Sequence, residues 1–272
     1  MAKNIAELII DHYSTYNESK RLTDAFGLFE LARTKELIER YLPASPITIL
    51  DVGGASGVYS FWLAELGHRV HLIDIVPKHI EEARNRAETS SFRLEEISVG
   101  DARDLKVPGE SVDLVLMHGP LYHLCAREDR HQALCEACRA LRPGGVLLAF
   151  AITRYAGAVF GLTRGFVFDS EYMEMTRREI ASGIRQNPPV WLKTFPEAYF
   201  HHPEELRAEI AAAGLDHETT VGVLGPAWLV PELKTDWENP AKRTILMEVA
   251  RLLEDEPVMG PRMMVVGRKP AV

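Results

Sequence analysis

The sequence has few cysteines and no long apolar segment, and these two deficits exclude several classes of protein. Its 272 residues include three cysteines, an odd and small number that does not suit a disulfide-stabilised secreted scaffold. The longest apolar runs, such as residues 146–152, fall far short of the roughly 18 residues that a membrane-spanning helix needs. The N-terminal residues carry charges where a signal peptide would be apolar. We therefore expect a cytoplasmic protein with reduced thiols and no membrane partner.

Positive charge is also scarce. Lys and Arg total 31 against 39 Asp and Glu, which gives a formal net charge of −8, and no block of like charge interrupts the pattern. A nucleic acid or another polyanion is therefore not an expected partner. The remaining composition, 46% hydrophobic and 26% charged, is that of an ordinary globular protein with enough chain for one large core or two smaller ones.

Cys135 and Cys138 form a C-x-x-C pair, but its context predicts a helix rather than a metal or redox site. Leu134, Ala137, Cys138 and Leu141 recur at helical spacing as one apolar face. A structural zinc site normally needs four ligands, and the chain has three cysteines. We predict no metal site.

From residue 47 onward, short apolar runs rich in β-branched residues alternate with longer helical patterns. Strands are predicted at residues 48–52, 70–74, 92–99, 112–118 and 146–152. Helices are predicted at residues 58–66, 78–87 and 127–141, preceded by a long amphipathic helix at 19–42. This alternation is typical of right-handed strand–helix–strand units in a parallel sheet. The sequence therefore predicts an α/β protein with a doubly wound sheet.

A glycine-rich turn directly follows the first predicted strand, in the run ITILDVGGASGVYS. Gly53, Gly54 and Gly57 permit positive φ and close backbone approach, and the N–H groups that open the next helix favour an anion. The dinucleotide fingerprint G-x-G-x-x-G needs glycines at fixed offsets, which from Gly53 fall on Ala55 and Val58. The turn predicts an adenosyl-type ligand rather than a nicotinamide or flavin cofactor.

Acidic residues stand at the ends of the first three predicted strands. Asp51 ends the first strand, Asp74 ends the second, and Asp101 follows the third in the run VGDARDL. Open α/β sheets bind ligands at the carboxyl ends of their strands. We expect Asp74 to accept two hydrogen bonds from an unphosphorylated ribose diol and Asp101 to accept one from an exocyclic adenine amine.

Five motifs along the chain, ILDVGGASG, HLIDIVP, VGDARDL, VDLVLMHGPLYHL and LRPGGVLLAF, resemble those of class I methyltransferases that use S-adenosylmethionine. The resemblance covers residues 31–152 and the late strands predicted near 217–223 and 262–267. It implies a Rossmann-like, mostly parallel sheet of seven strands whose last strand is antiparallel. It does not cover the insertion at residues 153–215, which the sequence pattern predicts to be a helical lid before the sixth strand. Ala55 stands where this family usually has the middle glycine of its loop.

The same resemblance assigns roles to single residues. Asp51 and the glycine loop would surround the methionine moiety of the cofactor, whereas Asp74 would hold the ribose and Asp101 the adenine. Arg33 is the candidate for binding the methionine carboxylate, and the alternative is an exposed helical arginine paired with Glu30. The implied cofactor-binding residues are Arg33, Asp51, Gly53, Gly54, Ala55, Gly57, Asp74, Ile75, Asp101, Ala102, His118 and Gly119.

Methyl transfer from a sulfonium is an in-line displacement, so the protein mainly has to align the acceptor with the methyl group and exclude water. An acceptor that carries a proton can also need a base. The run GPLYHL, just after the fourth predicted strand, places Tyr122 and His123 near the expected position of the methyl group. We predict that Tyr122 orients the acceptor, and that His123 is either the general base or a neutral hydrogen-bonding wall.

Residues 153–215 interrupt the alternation with aromatic-rich stretches and a charged helix at 170–182, and we predict a lid there. The domain organisation is then 1–152 for the cap helices and the cofactor-binding half, 153–215 for the lid, and 216–272 for the segment that completes the sheet. The aromatic surface predicts a small apolar or aromatic acceptor, although these rings could instead pack the lid onto the domain. The candidate substrate-binding residues are Tyr155, Phe166, His201 and Trp228.

The sequence therefore predicts a cytoplasmic S-adenosylmethionine-dependent methyltransferase that acts on a small molecule, with the acceptor atom and the oligomeric state left open. One alternative is a protein on the same scaffold that binds S-adenosylmethionine without transferring the methyl group. A nicotinamide-dependent oxidoreductase is a further alternative, which the glycine spacing opposes. Nucleic-acid methylation is opposed by the net charge of −8 and by GPLYHL, which stands where an Asn/Asp-Pro-Pro-Tyr/Phe run would be expected.

Overall fold

The computed structural model describes residues 4–15, 22–195 and 197–271. Its centre is a set of parallel strands in the spatial order β3-β2-β1-β4-β5. These strands are β1 (Thr48–Val52), β2 (Arg69–Asp74), β3 (Glu96–Val99), β4 (Val112–Met117) and β5 (Leu141–Thr153). Every residue of β1 is buried, which is the pattern of a parallel strand covered on both faces. The predicted doubly wound α/β class is confirmed.

Four later strands extend this set to a nine-stranded sheet in the described part of the chain. They are β6 (Ile184–Gln186), β7 (Glu197–His201), β8 (Asp216–Gly222) and β9 (Arg262–Arg268). β9 lies antiparallel to both β5 and β8, as predicted for the last strand. β7 lies parallel to the end of β5 and antiparallel to β6.

The strand count differs from the predicted seven because the segment 153–215 contributes β6 and β7. The sequence analysis predicts a helical lid, but this segment also contains two strands. β6 has three residues and β7 has five, and a strand of three residues is too short to show a period of two. Backbone pairing with β5, which is distant in sequence, determines this structure.

Helices cover both faces of the sheet. Those that precede β5 are α1 (Ile5–Thr15), α2 (Ala25–Glu39), α3 (Val58–Glu65), α4 (Pro77–Thr89), α5 (Pro120–His123) and α6 (Arg127–Ala140). The later helices are α7 (Ala156–Arg164), α8 (Ser170–Ser182), α9 (Pro203–Ala212), α10 (Leu233–Glu238) and α11 (Pro240–Leu252). In the described residues, no helix is both long and apolar enough to cross a bilayer.

The second helix is shorter than the predicted 19–42. It begins at Ala25 because the side chain of Asp24 accepts a hydrogen bond from the Gly27 N–H at 2.7 Å, which caps the first turn. Residues 19–21 of the predicted helix lie outside the described residues.

In the described residues, the core has two large apolar clusters, one on each face of the sheet, and a small third cluster of Leu72, Ile80 and Ala83. On one face, α6 and α9 contribute residues such as Leu134 and Leu206. On the other, α2 and α11 contribute Phe29 and Leu246. Because both faces are covered, the open part of the central sheet is the edge where β1, β2, β3 and β4 end, and the loops that follow these strands meet there.

Candidate active site

A cavity opens at the carboxyl ends of the central strands, which is where open α/β sheets bind their ligands. Its walls come from α1, the glycine loop, the ends of β2 and β4, α4 and α5. The structure brings to this cavity most of the residues predicted to bind the cofactor, namely Gly53, Gly54, Ala55, Asp74, Ile75, Asp101, Ala102, His118 and Gly119. Tyr122 and His123 line it too.

The glycine loop turns sharply at the end of β1. Gly53 has a φ of 74°, and a Cβ there would lie 2.8 Å from the Pro120 ring. Ala55 also has a positive φ, 49°, in the left-handed region that costs an L-residue about 1–2 kcal/mol. The Ala55 N–H donates to Asp74 Oδ2 at 2.9 Å, so the loop keeps a glycine-like conformation despite the alanine side chain.

Asp51 lies behind this loop rather than in the cavity wall. It is fully buried, and its Oδ2 accepts a hydrogen bond from Ser60 Oγ at 2.6 Å. A Cβ on Gly54 would lie 2.5 Å from Asp51 Oδ2, so the carboxyl group packs directly beneath the loop. Burial raises the pKa of Asp51 to about 7, although the hydrogen bond from Ser60 opposes the rise. Asp51 therefore supports the glycine loop from behind and does not line the cavity. The prediction that it contacts the methionine moiety directly is corrected.

Gly57 also stands outside the lining of the cavity. With a φ of 80° it is the N-cap of α3, and a Cβ there would lie 3.1 Å from the ring of Phe61. The turn into the helix requires a glycine at this position. Gly57 does not line the cavity, so its predicted contact with the cofactor is corrected as well.

Asp74 forms part of the cavity wall and is held in one orientation. Its Oδ1 accepts from the Val76 N–H at 2.8 Å and lies 3.2 Å from His79 Nδ1, and its Oδ2 accepts from the Ala55 N–H. A carboxylate fixed by backbone donors at the end of the second strand is suited to binding a ribose hydroxyl. The structure therefore supports a contact between Asp74 and the ribose.

Asp101 lines the cavity at the end of the third strand but shares its oxygens with a neighbour. Arg103 donates to it from Nη2 at 2.7 Å, from Nε at 3.0 Å and from its backbone N–H at 2.9 Å. Burial alone would raise the pKa of Asp101, but these hydrogen bonds outweigh it and lower the pKa below its usual value. The carboxylate is ionised, and an adenine amine would bind it beside Arg103.

The helical turn α5 places Tyr122 and His123 in the cavity, and α1 meets them there. Tyr13 Oη lies 3.1 Å from His123 Nε2. Burial, together with the nearby side chains of His12, Arg262 and His79, lowers the pKa of His123 to about 3. A neutral imidazole with so low a pKa is a weak base at neutral pH, so the geometry favours the hydrogen-bonding wall over the general base.

The N-terminal helix is the part of the site that the sequence analysis misses. Ile9 and Tyr13 of α1 line the cavity together with Leu22. Ile5, Ile9 and Tyr13 recur every four residues, and this amphipathic spacing was the available signal. Phe195 packs on the same group, with its ring centroid 4.5 Å from that of His123.

Arg33 lies away from the cavity, in an ion-pair network between α2 and the end of α11. Its Nη1 donates to Glu36 at 2.8 Å and its Nη2 donates to Glu254. The side chain is fully buried, and Glu30 pairs with Arg262 at 3.1 Å instead. Neither arrangement considered for Arg33, a cofactor contact or an exposed pair with Glu30, is therefore found. Helical spacing alone did not reveal the distant partner Glu254.

None of the residues predicted to bind substrate is among those that line the described cavity; these are Tyr155, Phe166, His201 and Trp228. Trp228 stacks on Phe160 with ring centroids 5.0 Å apart. His201 is fully buried, and its Nε2 lies 3.2 Å from Glu209 Oε2. The other two make ring contacts within residues 153–215. These side chains contact other parts of the fold, as in the alternative interpretation, and their predicted place in a substrate site at this cavity is corrected.

The three cysteines are free thiols. Burial raises the pKa of Cys125 to about 11 and raises those of Cys135 and Cys138 as well. In the described ranges, no group of three or more His, Cys, Asp or Glu side chains is arranged to hold a metal ion.

Comparison with known proteins gives consistent matches. Residues 50–149 match the family model of a methyltransferase domain. The chain is 28% identical over 186 residues to a ubiquinone biosynthesis O-methyltransferase of Methylobacterium sp. strain 4-46, covering 67% of this chain and 65% of that protein. It is 29% identical over 208 residues to a protein of the same name from Agrobacterium fabrum, covering 74% of each. The chain thus spans about two thirds to three quarters of the length of these relatives.

A solved S-adenosylmethionine-dependent methyltransferase from Methanosarcina mazei has the same fold. It matches 87% of this chain and 98% of its own with a TM-score of 0.61 at 18% identity. The cavity fits the cofactor that these proteins are named for, because a side-chain-free stretch of the glycine loop stands beside a fixed carboxylate, Asp74. The predicted fold, cofactor and enzyme class are confirmed, and residues 50–149 form a methyltransferase domain similar to those of S-adenosylmethionine-dependent methyltransferases.

Proposed function

We propose that this protein transfers a methyl group to a hydroxyl oxygen of a small, planar aromatic molecule. The observation that carries the proposal is the apolar and aromatic wall of the cofactor cavity, formed by Ile9 and Tyr13 of α1, Tyr122 of α5, and Leu22, which precedes α2. Two relatives are named as O-methyltransferases of ubiquinone biosynthesis, which supports a phenol or quinol as the acceptor. We also propose a cytoplasmic location, which the composition and the three cysteines indicate.

The cofactor supplies an electrophilic methyl group, and the side chains of this chain supply alignment and exclusion of water. In the proposal, a planar ring packs against Tyr122, and its hydroxyl group faces Tyr13 Oη. Tyr13 Oη lies 3.1 Å from His123 Nε2, so the hydroxyl group of Tyr13 is held in place beside the acceptor. The acceptor hydroxyl group releases its proton to solvent water, and its oxygen forms the bond to the methyl carbon as the carbon–sulfur bond breaks. Tyr13 orients the acceptor oxygen, and His123 stays neutral as a hydrogen-bonding wall.

We keep the proposal that residues 153–215 cover the site as a lid. It is supported by Phe195, whose ring centroid lies 4.5 Å from that of His123 and 5.7 Å from that of Tyr13. The aromatic ring lines a second, smaller pocket that shares Ile9, Tyr13 and His123 with the cofactor cavity. The proposed division at residues 1–152, 153–215 and 216–272 describes this arrangement, with the last segment completing the sheet.

The test is transfer of an isotope-labelled methyl group to a matched panel of acceptors. The panel contains a substituted catechol, the corresponding aniline and thiophenol, and the catechol already methylated on both oxygens as the blank. We expect label on the hydroxyl compound alone and loss of that label in Asp74→Ala. Label on the aniline or thiophenol alone would contradict the choice of oxygen. Intact cofactor binding with no transfer to any of a broad set of hydroxylated aromatics would instead favour the protein that binds the cofactor without turnover.

A further inference from the structure

His79 is a buried side chain of the cavity wall to which no role has yet been given. It lies in the first turn of α4, five residues after Asp74, and is 3% exposed. It lines the same cavity as the glycine loop and Asp74. The ring of Tyr13 packs edge-on against its ring with centroids 4.9 Å apart, so the imidazole is held on two sides.

The hydrogen-bond partners of Asp74 leave it unable to bind a ribose diol by itself. An ionised carboxylate offers about four lone-pair sites, two on each oxygen. Oδ1 is used by the Val76 N–H and by His79 Nδ1, and one site of Oδ2 is used by the Ala55 N–H. One site remains on Oδ2, whereas a ribose diol presents two hydroxyl donors. A second acceptor is needed for the other hydroxyl group.

The contact with Asp74 also determines which nitrogen of His79 can accept. A carboxylate only accepts hydrogen bonds, so Nδ1, 3.2 Å from Asp74 Oδ1, carries the proton. Nε2 of a neutral imidazole then has its lone pair available. This nitrogen is buried, and within the described residues no hydrogen-bond partner contacts it. A buried acceptor of this kind in a cavity wall is costly unless a ligand satisfies it.

We infer that His79 Nε2 accepts a hydrogen bond from one ribose hydroxyl of the cofactor while Asp74 Oδ2 accepts from the other. The pair would read the diol jointly, which replaces the expectation that Asp74 accepts both bonds. This inference rests on the cofactor of the proposed function and does not depend on the acceptor. Cofactor binding can be measured without an acceptor, so failure of one proposal is distinguishable from failure of the other.

The experiment compares three ligands by titration calorimetry: S-adenosylhomocysteine and its 2′-deoxy and 3′-deoxy forms. In His79→Met, which keeps a side chain of similar length without an acceptor nitrogen, we expect the dissociation constant for S-adenosylhomocysteine to rise about tenfold, the effect of losing one hydrogen bond. One deoxy form lacks the hydroxyl group that donates to His79. Wild type should bind that form about tenfold more weakly than S-adenosylhomocysteine, and His79→Met should not weaken its binding further. The other deoxy form keeps this hydroxyl group, so His79→Met should bind it about tenfold more weakly than wild type does.

The matched control is His71→Met on β2, a histidine that lies 3.6 Å from Glu96 and does not line the cavity. It should bind all three ligands as wild type does. An equal penalty of His79→Met for all three ligands would overturn the inference, because it would mean a general effect on the fold. Unchanged affinity for S-adenosylhomocysteine would overturn it as well. If His79→Met does not fold, His79→Leu, which likewise lacks an acceptor atom, takes its place, and the same pattern across the ligands decides.

Discussion

The cofactor side and the acceptor side of the cavity differ in how well the sequence predicts them. The cofactor side is formed by loops that directly follow strands, so Asp74 and Asp101 were recognisable from their place at strand ends. The acceptor side is formed where α1, distant in sequence, packs against α5. Local sequence patterns are therefore sufficient to predict the cofactor side, whereas the acceptor side depends on tertiary contacts between distant segments. Substitutions in the two halves should separate cofactor binding from turnover.

The largest effect is expected on the cofactor side, in Asp74→Ala. The variant loses the ribose acceptor and leaves the N–H groups of Ala55 and Val76 without their partner. We expect S-adenosylmethionine to bind more weakly by roughly 2–4 kcal/mol, measured by titration calorimetry. Asp113→Ala is the control, because Asp113 likewise accepts from a backbone N–H, that of Thr48 at 2.8 Å, but lies at the start of β4. Equal weakening in both variants would count against a ribose contact.

Asp51 gives the next largest effect, on stability rather than binding. Its pKa of about 7 in the folded protein lies above the ordinary value near 4. The folded state therefore binds more protons than the unfolded state between these values, and the free energy of unfolding falls as pH rises through this range. Asn does not titrate, so the free energy of unfolding of Asp51→Asn should not show this fall. The difference in unfolding free energy, variant minus wild type, should therefore increase by roughly 2–3 kcal/mol from pH 5 to pH 7. Urea denaturation at both pH values measures it, and a difference that is constant with pH would contradict the buried, protonated carboxyl group.

Tyr13→Phe tests the acceptor side. The variant keeps the ring but removes the hydroxyl group that lies 3.1 Å from His123 Nε2. We expect kcat/KM to fall about tenfold with little change in cofactor affinity. Tyr172→Phe is the control, since its hydroxyl donates to the Gly157 carbonyl oxygen at 2.7 Å inside the insertion. Turnover at the wild-type rate in Tyr13→Phe would show that the Tyr13 hydroxyl group does not orient the acceptor.

Ala55→Gly, on the cofactor side, should have the smallest effect, and it tests whether the positive φ of Ala55 is strained. A left-handed residue without a Cβ is less strained, so we expect the free energy of unfolding to rise by about 0.5–1 kcal/mol. Glu110→Gly is the control, because Glu110 has a similar φ of 52° and lies outside the cavity lining. Thermal unfolding should show a similar gain in both variants. A loss of stability in Ala55→Gly alone would indicate that the methyl group of Ala55 contributes packing that outweighs its strain.

Sequence reasoning reached the central sheet and the cofactor side because both depend on short-range patterns. The strand ends, the glycine turn and the order of motifs predicted Gly53, Asp74 and Asp101 in the site. Arg33 was misplaced because its partner Glu254 is 221 residues away, and no local spacing identifies such a pair. Trp228 was misplaced because an aromatic ring that packs a core and one that binds a ligand have the same sequence signature.

The central claim is that the cavity at the carboxyl ends of the strands binds S-adenosylmethionine and not a nicotinamide cofactor. Titration calorimetry of the purified protein with S-adenosylmethionine and, separately, with NADH tests it most directly. The account predicts micromolar binding of S-adenosylmethionine and no heat with NADH. Binding of NADH without binding of S-adenosylmethionine, or no binding of either, would contradict it.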